Sequence, residues 1–180
     1  MGGSAYARLR SAAAQNPGED MLDVAELTTE AAFIDAPRDP RLRALYDYWN
    51  GLRGERTVPL RADFDPTAIP QLLPFVLMYG ASPEGGYTIR LVGEELVQFV
   101  GRNVTGSPAG TIMPPHSAEV IVKILDAVIR ERAPKFRAGK AHWLAAKSHR
   151  NYEACFLPLS GDGRSVNIVL GGVTFPRAAD

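Results

Sequence analysis

The stretch Tyr87 to Gly106, YTIRLVGEELVQFVGRNVTG, constrains the fold more than any other part of the chain. It opens with alternation: Tyr87, Ile89 and Leu91 on one side, Thr88, Arg90 and Val92 on the other. A period of two predicts a strand. Gly93 breaks it, and Glu94 and Glu95 follow. Acidic residues suit the first turn of a helix, where free N–H groups and the helix dipole favour negative charge. Leu96, Val97, Phe99 and Val100 supply apolar contacts for about one and a half turns. Gly101 suits the left-handed position that ends a helix. A strand therefore runs straight into a short helix. The glycine at each joint is expected to hold a backbone conformation that a β-branched residue resists.

The flanking sequence fills in the order of elements. Asp39-Pro40 is a cap followed by proline at the first helical position. Leu42, Leu45, Tyr46, Trp49 and Leu52 then form one stripe, predicting a helix from Pro40 to Leu52 with Trp49 as a packing anchor. Asp65-Pro66 repeats the signal and predicts a short helix over Pro66–Leu72, ended by Pro74. Phe75 to Ala81 reads as a strand. Ser82 to Gly86 is turn chemistry, so this strand and Tyr87–Val92 form a hairpin. Ser107 to Pro115 is irregular. Ser117 is expected to cap a helix whose Val120, Ile121, Ile124, Leu125 and Val128 share a face; Pro134 closes it. Three strands follow, over Lys135–Ala145, Asn151–Leu159 and Arg164–Phe175. The last two are joined by Gly161-Asp162-Gly163, a hairpin signal. Two strands, a helical middle and three more strands predict an α+β fold, an antiparallel sheet with the helices on one face. Residues 1–36 read as a flexible or docking extension, 37–176 as the domain and 177–180 as a tail.

Charge narrows the function classes. Twenty Lys and Arg balance twenty Asp and Glu, which argues against a general nucleic-acid binder. The segment Arg130 to Arg150 is locally basic and reads as a solvated sheet edge guarded by lysines, or as a docking surface for an acidic partner or an anionic ligand. No apolar run approaches the roughly 18 residues of a membrane span. The N-terminus lacks the apolar core of a secretory signal, so a cytoplasmic location is expected.

The residues offer little reactive chemistry. Cys155 is the single cysteine. Its only hydrolase-like pairings are with His142 or His149, and nothing places the thiol at a helix N-terminus, where its pKa falls. A core role is expected. His142 and His149 stand seven apart without an acidic cluster, so no metal site is expected. Asp63, Asp65 and Glu153 read as caps or a strand-face charge rather than general bases. Arg90 reads as a surface residue or as the partner of a carboxylate such as Asp63 or Asp65.

Four phrases, LRALYDYWNGLRGERTVPLR (42–61), DFDPTAIPQLLP (63–74), IRLVGEELVQFVGRNVTG (89–106) and FLPLSGDGRSVNIVLGG (156–172), occur in an order and spacing that resembles the PAS_5 family of PAS domains. The resemblance covers about residues 40 to 175. It implies a five-stranded antiparallel sheet curved around a cavity, with helices packed on one face. It also implies a bacterial sensor or docking module, of a kind that mostly catalyses nothing; a sensor whose main role is metabolite binding in the cavity, and an enzyme using that cavity, are the alternatives. No single cofactor is implied. Flavin–cysteine photochemistry is excluded, because the middle segment reads GRNVTG and Cys155 lies in a late strand. Haem is disfavoured: the long helix holds no internal histidine, and His116 lies just before it. A ligand cavity, if formed, is expected to be lined by Leu96, Phe99, Val100, Ile121 and Leu125. With the last strand ending near Phe175, the chain is expected to act in trans, as a homodimer or with signalling kinases or their regulators. The expected contact surfaces are Met21–Ile34 and the helix over Pro40–Leu52.

Overall fold

Six strands and three helices form the fold in a computed structural model that describes residues 31–111, 113, 115–141 and 150–176. In chain order they are β1 (Ala31–Ile34), α1 (Pro40–Arg53), β2 (Val76–Ala81), β3 (Tyr87–Val92), α2 (Glu94–Val100), α3 (Pro115–Glu131), β4 (Lys135–Lys140), β5 (Asn151–Ser160) and β6 (Val166–Thr174). Turns of 3-10 helix occupy Arg61–Asp63, Pro66–Ala68 and Leu73–Phe75. The helix expected over Pro66–Leu72 thus shortens to one such turn. Asp65 still caps it, accepting from the Thr67 N–H at 2.9 Å. The expected class, α+β with an antiparallel sheet, is the one observed.

The sheet has six strands in the order β1-β4-β5-β6-β2-β3, not the expected five. The addition is β1, inside the stretch read as an extension, paired antiparallel to β4 from Ala31↔Gly139 to Ile34↔Phe136. That pairing also removes β4 from the edge, so the solvated-edge reading of the basic segment fails. Arg137 is buried on β4, and Lys135 and Arg130 both pair with Glu131.

The helices cover both faces of the sheet, which corrects the single-face arrangement. Successive residues of a strand point to opposite faces, and β5 shows both environments. Cys155, Leu157 and Leu159 pack with Leu42, Leu45 and Trp49 of α1. Ala154 and Phe156 pack with Leu96 of α2 and Ile121, Leu125 and Val128 of α3. The seat of α1 requires a glycine. A Cβ on Gly172 would lie 2.7 Å from Leu45 and 2.8 Å from Leu42. Trp49 is 2% exposed and donates its indole N–H to the Pro158 carbonyl at 2.8 Å, so it is the anchor that the sequence suggests.

The strand–helix joint forms over the predicted residues, with two corrections. Met78 pairs with Leu91 and Tyr79 with Ile89, so Arg90 is an extra residue, a β-bulge. Beyond it the alternation flips. Leu91 packs on the α1 side and Val92 on the α2–α3 side. Gly101 caps α2 in the left-handed conformation, φ 86°. Gly93 does not; its φ of −73° is open to any residue. It is needed because the Leu73 and Pro74 carbonyls press against the position of its missing side chain.

The long helix α3 begins at Pro115, two residues before the expected Ser117 cap. It is tied to β3 by the Tyr87 hydroxyl, which donates to Asp126 at 2.5 Å. The predicted residues Met1–Glu30, the continuation of β4 from His142 to Ala145 and the tail 177–180 lie outside the described residues.

Candidate functional site

A pocket of about 470 Å³ opens where the start of α1, the approach to β2, the helix α2 and the end of β6 meet. Each wall has a local cause. Asp39 caps α1 by accepting from the Arg41 N–H at 2.8 Å. The Arg41 side chain turns back onto the same carboxylate, with Nε at 3.0 Å from Oδ1 and a terminal nitrogen 2.6 Å from Oδ2. This holds the guanidinium 4.5 Å from the centre of the Phe75 ring. Burial pushes the Asp39 carboxyl up, but the hydrogen bonds from Arg41 outweigh it and leave the pKa below the usual carboxylate range. Behind this pair, the carboxylate of Glu153 accepts from the Arg38 and Asp39 N–H groups at 2.5 and 2.9 Å.

The opposite wall comes from α2. Glu95, Leu96 and Phe99 line the pocket, and spacings of three and four place them along one side of the helix. Val173 and Phe175 close the sheet side. The Phe99 and Phe175 rings stack with centroids 3.5 Å apart and planes 14° from parallel. Arg150, just ahead of β5, completes the rim, its guanidinium 6.0 Å from the centre of the Phe99 ring. The result is an apolar, aromatic floor under two arginines and one exposed carboxylate. Chemically, such a lining can offer a ligand apolar burial and charges to orient it.

Of the five residues expected to line a cavity, Leu96 and Phe99 reach this pocket. Val100 is half-buried against the core beside them. Ile121 and Leu125, 4% and 0% exposed, lie on the inward face of α3 in the packed core together with Leu96. Sequence reasoning missed Arg41, Phe75, Glu95, Arg150, Val173 and Phe175. They come from separated segments, and no local period links them.

The remaining candidates hold structural positions. Cys155 is fully buried against α1, and burial pushes its thiol up to about 12. Asp63 pairs with Arg56 at 2.5 Å and accepts from the Leu60 N–H; Asp65 caps its turn. Arg90 is exposed, with its stem over Gly80, and pairs with neither aspartate. His116 falls within α3, its side chain outside the described part; His142 and His149 lie outside the described residues. Among the described residues, no three His, Cys, Asp or Glu side chains gather as a metal-binding group, and no helix is long and apolar enough to cross a membrane.

Comparison with known proteins gives one family. The profile of PAS_5, described as a PAS domain, matches residues 38–174. No curated protein matches the chain. Among solved structures, the PAS domain of BvgS from Bordetella pertussis is similar, with 17% identity and a TM-score of 0.43. That similarity covers 74% of this chain and 87% of the BvgS domain.

Proposed function

The chain belongs to the PAS_5 family of PAS domains, and from that premise we propose that it regulates bacterial signal transduction through protein contact, modulated by a small ligand. PAS domains are sensory and signalling modules, generally without catalysis of their own. The observation that carries the contact reading is Phe33. It is 46% exposed, the one large hydrophobic side chain so exposed among the described residues. It lies on β1, which among the described strands pairs only with β4 and so presents a sheet edge. An end strand with an exposed apolar side chain is suited to strand addition by another chain. A second copy is the first candidate, because two identical edges pair antiparallel about a two-fold axis. Signalling kinases or their regulators are the hetero-partners that the PAS resemblance suggests.

The test is the mass of the full chain in solution, by native mass spectrometry and light scattering. We expect a dimer that Phe33→Asp converts to monomer with an unchanged circular dichroism spectrum. A monomeric parent that also captures no partner, or a dimer indifferent to this substitution, overturns the β1 contact.

The pocket favours the second reading, a sensor whose main role is metabolite binding. Native mass spectrometry separates the two readings, since a retained ligand adds mass without a change in subunit number. The enzyme reading has less support. Asp63, Asp65 and Glu153 are engaged as caps or hydrogen-bond acceptors, and Cys155 is sealed in the core.

A further inference from the structure

Within the reading of the pocket as a ligand site, we propose that it takes a small organic acid with a flat aromatic body, its carboxylate held by Arg150. Three observations point there. The first is the distribution of charge. Arg41 spends Nε and a terminal nitrogen on Asp39, so its charge is answered inside the protein. The Arg150 guanidinium stands at the same rim over Phe99 and has no ion-pair partner among the described residues. An arginine facing a carboxylate offers two parallel N–H donors, the geometry that organic acids match best.

The second observation is Arg137. It is 8% exposed, and its Nε has no hydrogen-bond partner among the described residues. It pairs across the sheet with Ala154, and Ala154 with Val173 of the pocket wall. Directly paired residues project from the same face, so Arg137 stands behind the pocket with only a small alanine between. A buried charge is poorly screened. Its field therefore adds to that of Arg150 and opposes a cationic ligand.

The third is shape. Phe75, Phe99 and Phe175 all line the pocket, the last two stacked nearly parallel. A flat ring packs by face or edge against such an aromatic wall. The volume of about 470 Å³ lies within the range of small-molecule sites. Glu95 is the one carboxylate among the described lining residues; it is exposed and attracts the Arg41 charge without a hydrogen bond to it. It repels an acid, and this makes it a diagnostic residue.

Isothermal titration of the full chain at low salt tests the assignment, with phenylacetate against its neutral counterpart phenylacetamide. We expect phenylacetate to bind at least about tenfold more tightly, the measure of one charge-assisted contact. Arg150→Gln should erase that ratio, whereas Glu95→Gln should raise acid affinity a few-fold. Phenylalanine separates an acid site from an amino-acid site, because its ammonium should make it bind more weakly than phenylacetate. Equal binding of acid and amide, a ratio that survives Arg150→Gln, or no saturable binding of either phenylacetate or indole-3-acetate overturns the proposal. If the acid binds through Arg150 while subunit number stays fixed, this assignment stands and ligand-modulated contact falls. If Phe33→Asp breaks a dimer while no acid binds, the reverse holds.

Discussion

The backbone of Leu73 occupies the space that a side chain on Gly93 would need. A Cβ built at Gly93 falls against the carbonyl oxygens of Leu73 and Pro74, while the Gly93 N–H donates to the Val76 carbonyl at 2.7 Å. The turn before β2 and the start of α2 are thus in backbone contact. That contact brings Phe75 and Leu96 to one pocket. Gly93→Ala should already destabilise, and Gly93→Val should cost at least about 1–3 kcal/mol, because carbonyl oxygens cannot rotate away as a side chain can. Urea denaturation of both variants measures this. An alanine variant as stable as the parent would show that the two segments separate freely. Gly101→Ala makes the contrast: it meets open space but a φ of 86°, so its cost should be about 1 kcal/mol and purely conformational.

Trp49 tests the α1 interface in two stages. Trp49→Phe keeps most of the apolar contact but leaves the Pro158 carbonyl without its indole donor. An unsatisfied buried acceptor costs about 1–3 kcal/mol. Trp49→Ala adds the cavity and should cost about 3–5 kcal/mol in all. Equal losses for the two variants would mean that the hydrogen bond contributes nothing.

Cys155 predicts chemical silence. Its thiol is fully buried between β6 and α1, and burial raises its pKa to about 12, so thiolate is scarce near neutral pH. Since it is the single cysteine, a thiol reagent such as Ellman's reports on one site. Labelling should proceed only through unfolding and accelerate with urea in step with global unfolding. Rapid stoichiometric labelling of the native protein would contradict the burial described for this face.

Much of this architecture is legible in the sequence where the signals are local. The Glu94–Val100 helix, its Gly101 cap, both hairpins and the Asp39 cap each depend on residues within a few positions. What escaped depends on distant partners. The strand Ala31–Ile34 is four residues long and exists by pairing with Lys135–Lys140, about a hundred positions on. The bulge at Arg90 is set by the register with β2, so the simple alternation mislaid Leu91 and Val92. An apolar stripe on α1 fixes which side is buried but not which sheet face it meets. For the same reason the sequence suggested Leu96 and Phe99 for the cavity but not Arg41 or Arg150, which tertiary packing brings to the same rim.

Acid should loosen the β5–β6 hairpin first. Asp162 accepts from the backbone N–H groups of Ser165 and Arg164 at 2.8 and 2.9 Å, and these bonds hold its carboxyl at about 2. In the unfolded chain an aspartate titrates near 3.9. The folded state therefore binds this proton less readily than the unfolded state. The stability it confers is complete above about pH 5 and is lost as pH falls through 4 towards 2. Asp39, held low by Arg41, acts in the same direction. Melting temperature against pH is the measurement, with Asp162→Asn as the comparison. The amide oxygen keeps an acceptor in the turn but carries no titrating charge, so the variant should start less stable at pH 6 and lose less between pH 5 and pH 2.5. If the two curves run parallel through that range, protonation of Asp162 is not linked to folding, and the turn is held by its glycine-flanked geometry alone.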